Sequence, residues 1–409
     1  MTEKIAPVLK KNRIEILDVI RGFAIFGIII ANIQSWSGYK FIPFTHMATL
    51  PFYDYNELLH YLFMFFVDTK FYTIFSLLFG IGFYLQFNKQ RENQAPFMKT
   101  YRKRLLFLML FGAIHGFFWS GDILFIYGAV GLVFVSFRNM KPSSLLKLSI
   151  FLYFSWLIYD IFIAIYFPQI LNYEYTAYKT YPDIAPTDLV AIFQNGSFYE
   201  VLQANWHNLY YRYLDLIPSG RLTKVLALFI LGFYLMSINY FTSYAKSKKL
   251  LLVYLLSGVI ITYFAELING SMASYSHNLS NVAYKALAVS GQILLALSYI
   301  SILSILDENK IFKKIFHLFA YVGRMSFTSY LMHTLFGYAI FYPFFGGLFG
   351  TMGLLQITLL ALILYTAQIL FSYIWLKYFS FGPLEWIWRC LTYGKLFPIL
   401  RPTNQGEKK

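Results

Sequence analysis

The sequence predicts an all-α fold, a polytopic bundle of transmembrane helices. Of its 409 residues, 58% are hydrophobic and only 13% are charged, whereas an ordinary globular domain has about 25% charged residues. The hydrophobic residues form continuous runs of more than about 20 positions, the length that a helix needs to cross a bilayer. They do not alternate as membrane β-strands do. This pattern excludes a soluble enzyme, a secreted disulfide scaffold, a disordered chain and a β-barrel.

About ten spans are expected within a single membrane domain that covers residues 1–409. The first run follows a polar tail, carries Asp18 and Arg21 and has no obvious small-residue cleavage site, so we interpret it as an anchor and not as a removed signal peptide. The predicted spans cover residues 14–36, 58–87, 104–120, 122–138, 146–168, 222–244, 250–269, 282–305, 318–344 and 352–379.

The basic residues between the spans predict the orientation. An even number of spans places both termini on one side, and with a cytosolic N-terminus the cytosolic segments hold 25 of the 34 Lys and Arg residues. The opposite side holds six, and three more lie in or at the mouth of spans. Because cytosolic loops are enriched in Lys and Arg, the bias predicts both termini in the cytosol, in the cytoplasmic membrane of a bacterium.

One outer segment, residues 169–221, is much longer than the other predicted loops. Its stretch 198–216 carries apolar and aromatic side chains at helical spacing around Trp206 and His207, which predicts an amphipathic helix in the outer membrane interface. The segment either covers an extracytoplasmic acceptor or forms a lid without chemistry.

The formal net charge of +15 does not indicate nucleic-acid binding, because the basic clusters already have a role in orientation. The expected partner is the lipid bilayer. No pair of histidines has a metal-ligand spacing, so no metal site is expected. The phosphate loop of nucleotide-driven transporters and the Gly-x-Ser-x-Gly elbow of α/β-hydrolases are both missing from the sequence.

Ionisable side chains inside a predicted span are costly and mark candidate functional sites. Asp18 and Arg21 are three residues apart on one helical face and can form an ion pair. They either lock the first span against its neighbours or contact an anionic donor, such as a phosphate, from the cytosol. Asn32, one turn from the outer end of the same span, could bridge helices or donate to a carbonyl.

The segment 104–131 contains the strongest candidate for a catalytic group. His115 lies eleven residues after Arg104, which at 1.5 Å per residue places it about 16 Å deep, near the middle of the membrane. A neutral histidine is tolerated there and is the commonest general base. Asp122 follows the break at Gly121 and could orient His115, or it could cap the next helix. His115 could instead be a hydrogen-bonded histidine of the core.

The ninth span carries a polar face. Arg324 stands at its cytosolic mouth, and Ser326, Ser329 and His333 follow on one side of the helix. We interpret this face mainly as structural, with hydroxyls bonded to their own helix and a histidine that bridges spans. Arg324 is a candidate donor-binding residue.

Five stretches of the chain, in the same order, resemble the YeiB-like bacterial inner-membrane proteins, the family of the domain of unknown function numbered 418. They are LDVIRGFAIFGIIIANI (17–33), DTKFYTIFSLLFGIGF (68–83), GAIHGFFWSGDILFIYG (112–128), GRMSFTSYL (323–331) and FGPLEWIWRCLTYGK (381–395). In this family position 333 is often glutamine, so the resemblance implies that His333 is not a required base.

The opening motif is also similar to that of transmembrane acyltransferases, including heparan-α-glucosaminide N-acetyltransferase, which pass an acyl group from a cytosolic coenzyme A thioester to a sugar on the far side. That resemblance rests mainly on one helix. It assigns Arg13, Asp18, Arg21, Gly22 and Asn32 to the shared motif. The YeiB-like resemblance assigns His115, Gly121 and Asp122 to a His…Gly-Asp element.

The leading hypothesis is a membrane acyltransferase. It would move an acyl group from a cytosolic thioester, acyl-coenzyme A, to an extracytoplasmic sugar or envelope component, with no tightly bound cofactor. His115 would be the base or a transient acyl acceptor, with Asp122 as its orienting partner. Asp18, Arg21, Asn32 and Arg324 would serve the donor. Two alternatives remain open: a proton-linked exporter of a small amphiphile and a non-catalytic membrane scaffold.

Overall fold

The computed structural model describes residues 14–42, 44–166, 186–217, 219–269 and 279–401. Within these ranges the chain is helical, with one isolated bridge between Phe379 and Leu400 and no strand. The helices of ten or more residues are α1 (Glu15–Trp36), α2 (Asn56–Phe66), α3 (Lys70–Lys89), α4 (Gln94–Phe118), α5 (Leu124–Phe134), α6 (Pro142–Tyr166), α7 (Pro186–Asn195), α8 (Phe198–Leu214), α9 (Arg221–Ser237), α10 (Lys248–Asn269), α11 (Leu279–Leu306), α12 (Lys310–Arg324), α13 (Ser326–Phe341), α14 (Leu354–Tyr378) and α15 (Pro383–Tyr393).

The described helices have the length and the surface of a membrane protein. Large apolar side chains are exposed along α10, among them Leu252, Leu256 and Ile260, and an apolar face of this extent is unfavourable in water. Six helical stretches are long and apolar enough to cross a membrane: Glu15–Trp36, Tyr53–Lys89, Pro142–Tyr166, Lys248–Ile268, Asn281–Leu306 and Leu354–Tyr378. The count of ten spans and their orientation stay predictions.

The first helix occupies the centre of the bundle. α1 packs against α3, α11, α12, α13 and α14, and Ile20, Ala24 and Ile25 on it are fully buried. Since neighbours surround this helix, its polar residues lie inside the protein and not in lipid. This placement agrees with the expectation that Asp18 and Arg21 face other helices.

α1 and α12 cross in backbone contact because each has a glycine at the crossing point. A Cβ atom added to Gly22 would lie 1.9 Å from the carbonyl oxygen of Phe319, and one added to Gly323 would lie 1.9 Å from that of Asp18. The Gly22 carbonyl also accepts a hydrogen bond from the Tyr365 hydroxyl at 2.8 Å. Small residues allow membrane helices to approach in this way.

Replacing Gly22 by alanine is therefore expected to destabilise the protein by about 1–3 kcal/mol or more, the usual cost of overpacking. Thermal denaturation in detergent measures the effect. The matched control is Gly82→Ala, since a Cβ at Gly82 meets nothing within 4 Å and alanine there gains about 0.5–1 kcal/mol of helix stability. Equal melting midpoints for the two variants would contradict the close crossing.

The predicted span 58–87 lies within the stretch Tyr53–Lys89, which is long and apolar enough to cross a membrane, but the structure divides it into α2 and α3. Between α2 and α3 the backbone turns at Thr69, which has a φ of 67°. The carbonyl groups freed by the break receive side-chain donors: Tyr299 bonds to Phe66 at 2.8 Å, and Lys70 bonds to Met64. These tertiary hydrogen bonds satisfy backbone groups that lipid could not.

The predicted span 318–344 is likewise divided, at Met325 between α12 and α13. Helix α13 begins with free amides, and the Glu385 carboxylate of α15 accepts from Phe327 N at 2.7 Å and Thr328 N at 3.1 Å. The Thr328 hydroxyl donates to the same carboxylate at 2.6 Å. A carboxylate from another helix thus caps α13.

Helix α8 occupies the stretch in which an amphipathic helix is predicted. It packs against the end of α4: Trp206 stacks on Phe117 with ring centroids 5.3 Å apart, and Asn205 donates to the Phe118 carbonyl at 2.9 Å. Residues 167–185, which include the first part of the predicted outer segment, lie outside the described residues. A position of α8 in the membrane interface stays a prediction.

Candidate functional site

A cavity of about 1230 Å³ lies between the helices of the bundle. We call the end at which α1 begins the inner end and the end at which α1 stops the outer end, following the predicted orientation. Arg21, Arg104 and Arg324 line the inner end, while Trp119 and Asn205 line the outer end.

The cavity follows the helices over most of the thickness of a bilayer. It is lined on α1 from Arg21 to Ser35 and on α3 from Lys70 to Gln86, which at 1.5 Å per residue corresponds to roughly 21 and 24 Å. The hydrocarbon core of a membrane is about 30 Å thick. Apolar side chains form the middle part, namely Ile28, Phe75, Leu78, Phe79, Leu105 and Leu108.

The lining of the cavity is strongly basic. Ten Lys or Arg residues contribute to it, against four Asp or Glu residues. Some of these cations have carboxylate partners behind the lining, as Arg21 has Asp18 and Lys285 has Asp160. The remaining excess of cationic side chains favours an anionic ligand. Within the residues that the structure describes, no group of three or more His, Cys, Asp or Glu side chains could hold a metal ion.

Arginines from four elements converge on the inner end. Arg21, Arg104, Arg324 and Arg389 all line the cavity there. Arg104 is fixed in place, because its guanidinium lies 4.1 Å from the centre of the Trp388 ring and donates to the Gln86 side chain at 3.1 Å. Guanidinium groups form bidentate hydrogen bonds with phosphate and carboxylate groups, so the inner end can bind such an anion.

The structure brings together the predicted donor-binding residues at the cavity, with one difference. Arg21, Asn32 and Arg324 line it, whereas Asp18 lies behind Arg21 and is only 4% exposed. Asp18 and Arg21 form the anticipated ion pair at 2.8 Å. The pair is thus both structural and next to the cavity. Arg13 of the opening motif lies outside the described residues.

His115 and Asp122 form a buried hydrogen-bonded pair. His115 Nδ1 lies 2.8 Å from Asp122 Oδ1, and the two residues are only 5% and 4% exposed. The second oxygen of Asp122 accepts from Phe125 N at 2.9 Å. Asp122 therefore makes the contacts of both roles considered from the sequence: one oxygen holds the imidazole, and the other caps the start of α5.

A third group completes this arrangement. The Thr334 hydroxyl of α13 lies 2.8 Å from His115 Nε2. If Asp122 accepts from the Nδ1–H group, Nε2 is the acceptor of the Thr334 proton, the same order of hydroxyl, imidazole and carboxylate that activates nucleophiles in hydrolases. The three side chains can therefore move a proton between a hydroxyl and His115.

The pair is separated from the cavity by one layer of side chains. Neither His115 nor Asp122 lines the cavity, whereas Trp119 and Tyr330 do. Their rings lie 5.8 and 5.4 Å from the His115 ring, centre to centre. His115 belongs to the last turn of α4, which ends at Phe118. Its depth in the membrane stays a prediction.

Thr334 was not among the residues singled out from the sequence. The signal that could have found it is a spacing of four: Tyr330, Thr334 and Tyr338 form one stripe on α13. This stripe faces the end of α4, since the Tyr338 hydroxyl donates to the Phe118 carbonyl at 2.7 Å. The polar face singled out from the sequence, with Ser326, Ser329 and His333, lies on another side of the same helix.

The stripe with Ser329 and His333 faces α14. His333 Nε2 lies 3.1 Å from Gln368 Oε1, and the Gln368 amide donates to the Ser329 carbonyl at 2.8 Å. These are contacts between spans in the protein core, as the structural interpretation of this face expects.

The chain is similar along nearly its whole length to bacterial proteins. A family model described as protein of unknown function (DUF418) matches residues 235–395. YxaH of Bacillus subtilis (strain 168) is 29% identical over 417 residues, which cover 97% of this chain and 98% of that protein. YeiB of Escherichia coli (strain K12) is 27% identical over 401 residues, with 95% and 98% covered. No solved structure matches the chain.

Proposed function

We propose that this chain, a member of the YeiB-like family that carries the DUF418 region, is an integral-membrane acyltransferase. It transfers an acyl group from a cytosolic acyl-coenzyme A to an acceptor on the opposite side of the cytoplasmic membrane. The observation that supports this most is the cavity, which connects an arginine-rich inner end with the wall of the His115 site.

In this proposal the inner end binds the donor. The phosphates of coenzyme A meet Arg21, Arg104, Arg324 and Arg389, which supply the bidentate donors that phosphate prefers. The pantetheine arm then extends along the apolar middle of the cavity toward the outer end. Asn32 lines the cavity one turn before α1 ends, and in this proposal its amide donates a hydrogen bond to the thioester carbonyl.

At the outer end His115 acts as the general base. The acceptor oxygen or nitrogen forms a bond to the carbonyl carbon and gives its proton to His115 Nε2, the C–S bond breaks, and the thiolate leaves and takes up a proton. Asp122 holds Nδ1 and stabilises the imidazolium. For this step the rings of Trp119 and Tyr330 turn aside, because they separate His115 from the cavity.

The proposal is tested with purified protein in detergent, without any gradient. A panel of acyl-coenzyme A thioesters is added, and binding and thiol release are measured. We expect saturable binding and release of the thiol, faster when a candidate acceptor is present. A protein that is folded but neither binds nor consumes any thioester of the panel would contradict the acyltransferase function.

Replacing Arg324 by glutamine is expected to weaken binding of acyl-coenzyme A by roughly tenfold, since a hydrogen bond to a charged group contributes about 1.5–3 kcal/mol. The same variant should bind acyl-pantetheine, which has no phosphate, as wild type does. Isothermal titration with both thioesters measures this difference.

The matched control is Arg102→Gln, which removes an exposed arginine of α4 that does not line the cavity. Equal losses for Arg324→Gln and Arg102→Gln, or an equal loss for both thioesters, would show that the inner end does not recognise the phosphates.

A second candidate function is export of a small amphiphile. The same cavity favours it, because charged residues line both ends and an apolar section connects them, as a translocation path requires. Thioester turnover in the absence of a gradient separates the two functions. An exporter would leave the thioester intact and carry a proton-linked flux in sealed vesicles.

A further inference from the structure

The outer end of the cavity lies at the start of two parallel helices. Phe79 of α3 stacks on Phe229 of α9 with ring centroids 4.2 Å apart, and Phe83 lies 5.8 Å from Phe233. Both pairs have the same separation along the chain, so α3 and α9 run in the same direction and in register. Their N-termini therefore lie side by side.

Both N-termini open into the cavity without a side-chain cap. The N-cap residues are Thr69 and Gly220, with φ of 67° and 60°, and neither makes a side-chain capping hydrogen bond. Thr69 and Lys70 of one helix and Arg221 of the other line the cavity. The amides of Lys70 and Arg221 already donate to Val67 and Leu216. The next amides of each first turn, together with the helix dipole, attract anions, and here two such ends act at one place.

Two cations of α9 strengthen this attraction. Arg221 and Lys224 line the cavity one turn apart, and among the described residues neither forms an ion pair or a hydrogen bond through its side chain. Lys224 is held against the Trp156 ring, 4.5 Å from its centre. Asp215 lies near Lys224 but forms no ion pair with it. A partly buried cation without a direct carboxylate partner is costly, which favours an anionic ligand that compensates it.

The other basic residues at this end already have acidic neighbours. Lys285 bonds to Asp160 at 2.8 Å, and Arg212 lies 4.0 Å from Asp215.

Lys70 lies near Asp68 and Glu266. Once these neighbours are set aside, the positive groups left at the outer end are Arg221 and Lys224, which form no ion pair with the described residues, the two helix ends, and the exposed Lys40.

We propose that this outer site, formed by Arg221, Lys224 and the N-termini of α3 and α9, binds the phosphate group of an amphiphilic phosphate ester. Several oxygens of one phosphate match several donors that converge from two helices. The apolar part of the ester lies against the middle of the cavity. The ester is then the acceptor of the acyl group, a conclusion that rests on the proposed function, whereas the binding site itself does not.

Binding of hexadecyl phosphate in a neutral detergent, with no thioester present, tests the site. Wild-type protein is expected to bind it saturably, and Arg221→Gln and Lys224→Gln are each expected to lower the affinity roughly tenfold or more. Lys224→Arg keeps the charge and should bind within a few-fold of wild type. Lys147→Gln, which changes an exposed lysine of α6, is the control for general charge effects.

Competition distinguishes the possible sources of the phosphate. Displacement of hexadecyl phosphate by phosphatidylglycerol in nanodiscs, with no displacement by inorganic phosphate at the same concentration, indicates that the ligand is a lipid-like ester. Displacement by inorganic phosphate alone indicates a ligand without an apolar part and overturns the proposal of an amphiphilic ester. Binding that is unchanged in both glutamine variants, or that is lost only in Arg324→Gln, overturns the outer site. Because no thioester is used, failure of acyl transfer leaves this result intact.

Discussion

Replacement of His115 by alanine is expected to lower the rate of acyl transfer by roughly 10²–10⁴-fold, the usual contribution of a general base. The imidazole is the group of this site that can serve as a general base, and Asp122 and Thr334 hold it in place at 2.8 Å. Single-turnover thiol release from the acyl-coenzyme A that wild type uses best measures the loss.

Two further variants separate chemistry from packing. Asp122→Asn keeps the volume of the side chain but no longer fixes the imidazole tautomer, and we expect a loss of at least roughly tenfold. His333→Gln changes the other buried histidine of the core, whose glutamine neighbour can still accept a hydrogen bond, and transfer should persist. If His115→Ala is folded and transfers acyl groups at the wild-type rate, His115 is not the base.

Replacement of Glu385 by alanine is expected to destabilise the protein by about 3–5 kcal/mol, the largest effect on stability that we predict. The change leaves the amides of Phe327 and Thr328 and the Thr328 hydroxyl without their acceptor, and each buried donor without a partner costs about 1–3 kcal/mol. The melting midpoint of the purified protein, from the fraction that stays monodisperse after heating, measures the loss.

Glu385→Gln should be less harmful, because its carbonyl oxygen can still accept from the amides. Burial raises the pKa of the Glu385 carboxyl, while the hydrogen bonds from Thr328 and Phe327 act in the opposite direction, so loss of the charge alone is tolerated better than loss of the acceptor. Glu92→Ala, at an exposed position, is the control. A midpoint for Glu385→Ala equal to that of Glu92→Ala would mean that the cap contributes nothing.

The all-helical class and the membrane character could be predicted, because they depend on the length of apolar runs. The run that forms α1 is a clear case, since its composition alone requires a buried helix. The breaks at Thr69 and Met325 could not be predicted in the same way. Neither has proline, and both are held by side chains distant in sequence, Tyr299 in one case and Glu385 in the other.

The candidate site was predictable where its groups are close in the chain. Asp18 with Arg21 and His115 with Asp122 each form the contact that their spacing allows.

Thr334 meets His115 across 219 residues, and only tertiary packing brings them together. Arg221 and Lys224 are two of the six basic residues that the predicted orientation places on the outer side, and their spacing alone does not mark them as a site. Their position beside the start of α3 depends on the pairing of α3 with α9, which no local pattern specifies.

The central position of α1 also determines the order in which the protein can be assembled. Its contact with Gly323, made by Arg21, joins residues 302 positions apart, and at about 5–20 residues per second a ribosome needs roughly 15–60 s to make that length of chain. For most of this interval α1 has none of its later partners α11 to α14, because α11 begins only at Leu279. The newly inserted helix must wait in lipid or in the translocon with Asp18 and Arg21 neutralising each other, and the bundle closes around it only late in synthesis.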